Sequence, residues 1–532
     1  MNILINKLKN KLKAKKEKSE EKMISLKDFS EYCKKHSLLI ALTIFILLLA
    51  HGSNLFYNNI GIDTQSFIEN PTFEYNWLGI GRYGLLIEKV LLGLSYYCPY
   101  YASIIFMLFL VVSNVILYYT FYKLSDKDFG LLNLCIPMLA FTHPVFVEQF
   151  VYMLQSAEIA FAISLTALST LFIFTWIKDK NGFYCILGIV GLVICFATYQ
   201  AFVPLYIAFC IFAFIMMFEN NKNSNERNFK TIFKLIITFA ISLIAYKVTV
   251  KLLPSYSAYI DDSFFWGNYP LRTIYEFITG YMKDVIIGRG GYFNKGYIIG
   301  SIFLLIVAIY KLVKSKEDLK ISEKILYILS ILAFIGTPFY MIIAIGHAPF
   351  LRAQFILPFT EAFIIMYVSY YLFKNKTLKY IAIIGILFVF EVQMVKTQNL
   401  YYTDHMRNES DIQTAYEMSN DIKKHGIVEG NRIAIVGHRN AKLNPVCQIG
   451  ETVGVSLFTM NYYAPPYYLN STSGILRLFR CLGIMYYECS AEEMQEARKT
   501  AQDMPVWPEE GSIKECNNYV IVKISEDELP LE

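Results

Sequence analysis

Residues 38–57 read LLIALTIFILLLAHGSNLFY, an apolar run long enough to cross the hydrocarbon core of a bilayer as one helix. Upstream, residues 1–37 are dominated by lysine, with Leu4, Ile5, Leu8 and Leu12 at roughly helical spacing. This pattern predicts an amphipathic helix lying along an anionic leaflet, and it lacks the apolar core and cleavage site of a removable signal peptide. The positive-inside tendency makes this end cytoplasmic, so residues 38–57 cross outward. The next stretch, Gly61–Gly84, reads GIDTQSFIENPTFEYNWLGIGRYG and is thereby placed outside. It offers Asp63, Glu69 and Glu74, the aromatic residues Phe73, Tyr75 and Trp77, and a turn around Arg82.

Composition supports the same class. Of 532 residues, 55% are hydrophobic and only 17% are charged, against about 25% charged in soluble domains. The net charge of +5 comes from lysines scattered in short linkers, where they set orientation; no basic face for nucleic acid emerges. The ten cysteines form no CxxC pair and no zinc spacing. Cys447, Cys481, Cys489 and Cys516 lie in the polar C-terminal part, with their pairing open.

Apolar runs and short polar linkers then alternate to give about eleven spans, judged against the ~20 residues that a crossing needs. Residues 85–97 carry Glu88 and Lys89 and read instead as an interfacial helix. An odd number of crossings leaves the C-terminus outside. The fold expected is an α-helical polytopic membrane protein: a cytoplasmic segment 1–37, a membrane domain 38–395, and a small extracytoplasmic α/β domain 396–532. That last part predicts a helix over 409–425 and a strand over Arg432–Val436, and it contains the sequon Asn470-Ser471-Thr472.

This topology gathers the polar variety on the outer side: Asp63, Glu69, Glu74, Trp77 and Arg82; His143 and Glu148; Tyr199 and Gln200; Asp261 and Asp262; His347 and Arg352. Arginine outside runs against the positive-inside tendency, and holding a phosphate is one reason for it. Arg82 and Arg352 are the candidates, with snorkelling to headgroups as the competing reading. Asp63 reads either as a helix cap or as a general base for an acceptor hydroxyl. Tyr199 and Gln200 suit sugar hydroxyls, and Tyr75 and Trp77 suit either a sugar face or the interfacial belt. Asp261 and Asp262 offer oxygens to a divalent cation, a weak signal from two adjacent loop acids. His143 and His347 mark helix ends. Glu361, Glu391 and Lys247 fall in or near spans, where function and mutual pairing both explain ionisable groups.

Gly61-Ile62-Asp63 after the first span, Trp77 followed by Gly81-Arg82, and Ala197-Thr198-Tyr199-Gln200-Ala201 at an outer helix end resemble the type II Gtr glucosyltransferases of the GT-C superfamily. The resemblance covers about residues 38–395. It implies transfer of a sugar, often glucose, from a polyprenyl-phosphate carrier to a cell-envelope glycan at the outer face of the bacterial cytoplasmic membrane. It places Asp63 at the catalytic acidic position and Arg82 in the Gly-Arg element, and carries no role to Arg352. Many members have two acids together in this loop, whereas Asp63 is followed by Thr64. The alternatives are a lipid-linked glycan flippase or transporter, expected to show internal repeats and broken helices, and an envelope assembly protein for which the membrane part is only an anchor.

Overall fold

A computed structural model of the chain describes residues 23–70, 76–125, 127–220, 225–253, 270–289, 292–314, 320–347, 350–460, 467–516 and 518–526. Among these, six helices are long and apolar enough to cross a membrane: Ser37–Leu55, Pro99–Ser125, Ser156–Asp179, Asn228–Lys251, Gly296–Lys314 and Lys376–Lys424. A seventh crossing is reached if Ile321–Ile335 and Thr337–Ile345, bent by 50° at Gly336, act as one span. Four further apolar runs form shorter helices, Gly130–Phe141, Gly182–Thr198, Phe202–Phe218 and Ile356–Leu372. The chain is therefore a helical membrane protein, with six or seven spans by length and composition among the described residues.

Small residues let the central helices approach closely. Gly188 and Gly191 of the Gly182–Thr198 helix face Ile173 and Ser169, and a Cβ at Gly188 would sit 2.6 Å from Ile173 Cγ1. This is the small-residue packing expected where lipid supplies no drive for helix association. Aromatic rings fill the seam between Pro99–Ser125, Phe202–Asn220 and Ile356–Leu372. Phe212 lies edge-on to Phe121 at 5.0 Å and stacks on Phe363 at 4.8 Å between centroids.

The stretch read as interfacial forms the helix Tyr83–Leu92, ended by Gly93 in the left-handed region (φ 71°). Its polarity is inverted relative to a soluble helix. Glu88 and Lys89 are buried, whereas Val90 and Leu91 are exposed. Burial is tolerable because the Lys89 ammonium donates to Glu158 Oε1 at 2.8 Å and to the Leu154 carbonyl at 2.6 Å.

The helix expected over 409–425 is the end of a 49-residue helix, Lys376–Lys424. No proline interrupts it and Gly385 is its sole glycine, so the apolar run and the polar run propagate as one rod of about 74 Å. It ends beside a four-stranded sheet of order β2-β1-β4-β3. The strands are β1 (Arg432–Val436), β2 (Tyr487–Glu488), β3 (Ile513–Glu515) and β4 (Tyr519–Lys523). Strand β1 runs parallel to β2 and β4, while β3 is antiparallel to β4. Parallel pairing of β1 with β2 requires a crossover, supplied by the helix Tyr467–Cys481. Thr472, from the sequon, is buried here and donates to the Ile435 carbonyl at 2.9 Å. All ten cysteines, including Cys447, Cys481, Cys489 and Cys516, are free.

Candidate functional site

Asp63 stands at the head of the short helix Thr64–Glu69 with φ 68° and ψ −27°, a left-handed conformation uncommon for a residue with a side chain. It makes no side-chain cap bond, so the capping reading does not hold. The loop before it is clamped by the long helix. Asn59 donates to Asp404 Oδ2 at 2.7 Å, the Ile60 amide donates to Asn408 Oδ1 at 2.8 Å, and Arg407 donates to the Ile60 carbonyl at 2.7 Å. Arg407 is itself buried between Asp404 at 2.9 Å and Asp411 at 3.5 Å. A clamp of this kind lets strained backbone persist at a working residue.

Three arginines act electrostatically on Asp63. Burial pushes its carboxyl above the usual range, against the opposing pull of Arg82, Arg352 and Arg477. The first two were expected from the sequence, the third was not. Arg477 lies on the Tyr467–Cys481 helix, donates to Ser66 Oγ at 2.9 Å and approaches Glu69 Oε2 at 3.7 Å. Arg480, one turn on, meets Glu69 Oε1 at 2.8 Å. Glu69 therefore docks this helix, and Arg477-x-x-Arg480 on an amphipathic pattern was its sequence signal.

The two short motifs meet in space. The Arg82 guanidinium lies 4.5 Å over the Tyr199 ring, and the buried Arg82 Nε has no hydrogen-bond partner among the described residues. Gln200 donates to the Ile80 carbonyl at 3.1 Å and to Tyr246 Oη at 3.0 Å. Thr198 donates to Glu88 Oε1 at 2.8 Å. A Cβ on Gly84 would fall 2.6 Å from Thr198 N and 2.7 Å from Ala197 C, so only glycine permits this contact. Trp77 is buried with Phe67, Leu85 and Leu154, 5.3 Å from the Lys89 ammonium. It supports the turn from beneath and offers no open ring face to a sugar.

Arg352 sits in the turn Leu351–Ala353, 4.2 Å from the Phe350 ring and 5.4 Å from the Tyr152 ring. Glu148 is fully buried in the neighbouring helix Val145–Phe150. His143 and Glu361 lie elsewhere, inside the bundle. Their closest atoms are 4.0 Å apart, and Glu361 accepts from Gln393 at 3.3 Å and Asn294 at 3.4 Å. Glu361 is thus satisfied by amide side chains; the pairing with Glu391 or Lys247 that its place in a span allowed is not seen among the described residues. Helical structure breaks between Phe141 and Val145, so His143 does mark a helix end. Phe73, Glu74, Tyr75, Asp261 and Asp262 lie outside the described residues, among which no group of three metal-binding side chains occurs.

Beside this site, a cleft of about 480 Å³ is lined by Gln200, Pro204, Tyr246, Lys247, Lys251 and Tyr340 among others. A second, almost wholly apolar cleft of about 370 Å³ lies along the same helices, and both are bordered by Ile207. An acid within the field of three arginines, near an apolar seam with Lys247 and Lys251 among its lining residues, is chemically suited to a phosphate carried on a hydrocarbon chain.

Comparison with curated proteins and with solved structures gives no match. The family model for the glucosyl transferase GtrII matches residues 52–390, which include Asp63, Arg82, Tyr199, Gln200 and Arg352. That span is more than half of the chain and contains both interlocked motifs, so the chain belongs to the GtrII glucosyl transferase family.

Proposed function

We propose that the chain transfers a glucosyl group from a polyprenyl-phosphate carrier to a cell-envelope glycan at the outer face of the bacterial cytoplasmic membrane. The observation that carries this reading is the strained, half-buried Asp63, on which Arg82, Arg352 and Arg477 all act electrostatically. An acceptor hydroxyl attacks the anomeric carbon, Asp63 takes its proton, and the bond from that carbon to the phosphate oxygen breaks, with inversion. The polyprenyl phosphate leaves with its charge met by the arginines. A carboxyl with a raised affinity for protons suits the base role near neutral pH.

The lipid carrier is supported by the paired clefts that share Ile207, whose apolar lining fits prenyl units, with Lys247 and Lys251 set to attract the phosphate. Tyr199 and Gln200 hold Arg82 and the cleft wall, a structural contribution to donor binding. Asp261 and Asp262 remain the candidates for a divalent cation. In this reading the four shorter apolar helices complete about eleven crossings with the longer ones, each judged against the bilayer thickness. The N-terminus is then cytoplasmic, residues 38–395 form the membrane domain, and residues 396–532 are extracytoplasmic.

The test is transfer of labelled sugar from polyprenyl-phosphate glucose to cell-envelope acceptor in proteoliposomes, with wild type and Asp63→Asn compared. Loss of transfer by at least about 100-fold in the variant, with donor binding kept, is expected for a general base. Undiminished transfer would refute the assignment.

A further inference from the structure

Besides the helix that carries Arg477, one loop of the C-terminal part reaches the arginine site. Glu148 accepts from the backbone amides of Glu451 at 2.7 Å, Thr452 at 2.9 Å and Val453 at 3.4 Å, from the Thr452 hydroxyl at 2.6 Å, and from the Tyr292 hydroxyl. A Cβ at Gly450 would collide with Tyr292 Oη and Glu148 Oε1, so glycine is required where the loop enters. With its amide held by Glu148, Glu451 turns its side chain to a different element. Its Oε2 accepts from the Leu351 amide at 2.8 Å and lies 4.0 Å from the Arg352 guanidinium. The carboxylate thus caps the turn Leu351–Ala353, and Arg352 is a member of the set acting on Asp63.

We infer that Glu451 is a positioning residue for donor binding: it fixes the turn that presents Arg352 to the donor phosphate and shares the charge of that arginine. The inference rests on the glucosyltransferase reading above. The groups facing Glu451 are Arg352, Glu148 and Tyr292. Burial, reinforced by Glu148 and opposed by Arg352, pushes its carboxyl up to about 7. Below that pH the neutral acid leaves the charge of Arg352 to the phosphate. Above it the carboxylate competes for the guanidinium and repels the phosphate, so donor affinity falls as pH rises.

The test uses the full chain in proteoliposomes at pH 6 and pH 8, with polyprenyl-phosphate glucose as the probe. In wild type the donor KM is expected to rise between these values by about tenfold, the scale of one charge-assisted contact, with little change in kcat attributable to Glu451. Glu451→Gln keeps an acceptor for the Leu351 amide but no charge, and its KM is expected to stay near the wild-type pH 6 value at both pH values. Glu451→Ala loses the cap, and its KM is expected to rise about tenfold at both. Equal losses of kcat in the two variants, with the wild-type dependence of KM on pH retained, would overturn the inference. Hydrogen exchange over residues 350–354 reads the cap without any substrate. Faster exchange in Glu451→Ala than in Glu451→Gln supports the positioning role, and identical exchange in all three proteins overturns it. A wild type that transfers no sugar fails the glucosyltransferase reading, and the exchange measurement still decides whether Glu451 holds the turn.

Discussion

Arg82 and Arg352 both act on Asp63, yet they are held in contrasting ways. Arg82 belongs to a clamp made wholly within the membrane part, where Gly84 allows its helix to press on Ala197 and Thr198 while Tyr199 receives the guanidinium. Arg352 is steadied by Glu451, and the loop bearing Asp63 is steadied by Arg407 and Arg477, all three from the far end of the chain. One side of the site is built from short motifs, whereas the other is assembled by long-range contacts. Arg407, Glu451 and Arg477 all lie beyond residues 52–390, outside the stretch that the family model matches.

That contrast can be broken from either side. The largest stability effect is expected for Arg407→Met, which leaves Asp404 and Asp411 buried without their cation, at a cost of about 3–5 kcal/mol. A thermal-shift assay of the purified protein should show the fall, and transfer should drop because Ile60 loses its clamp. Gly84→Ala strikes the opposite side. The new methyl meets backbone, which cannot swing aside, so about 1–3 kcal/mol of overpacking is expected, with loss of transfer. Normal melting and normal transfer in that variant would show that the two motifs do not need close contact. Tyr199→Leu should have the smallest effect. It removes a cation–π contact worth about 0.5–2 kcal/mol, read as a rise in donor KM of a few-fold with melting little changed.

The contrast also explains what could be read in the sequence. The long apolar helices and the strand Arg432–Val436 are local patterns of hydropathy or residue type and form where such patterns place them, although six or seven helices, not about eleven, are long enough to cross among the described residues. Arg477 and Arg407 find their partners 411 and 347 residues away, and no periodicity in either segment announces the other. For Trp77 the sequence offered a sugar face or the interfacial belt, and its packing against Phe67 and Leu85 in a buried cluster is set by contacts that no local pattern announces. Lys89 and Glu88 argued against burial as single residues, while their partners Glu158 and Thr198 lie on other helices. Length likewise separated long spans from short ones. The run Gly130–Phe141 ends where Thr142, His143 and Pro144 break the helix, although apolar residues resume at Val145.

The unbroken helix Lys376–Lys424 has a mechanical consequence. Its apolar first half is seated by the bilayer, and Arg407, about 18 Å further along the same rod, grips the loop that carries Asp63. A rod transmits displacement with little loss, so a thicker or thinner bilayer that shifts or tilts its lower half also moves its grip on Asp63. Acyl-chain length of the surrounding lipid then becomes a setting of the loop that carries Asp63, independent of any ligand.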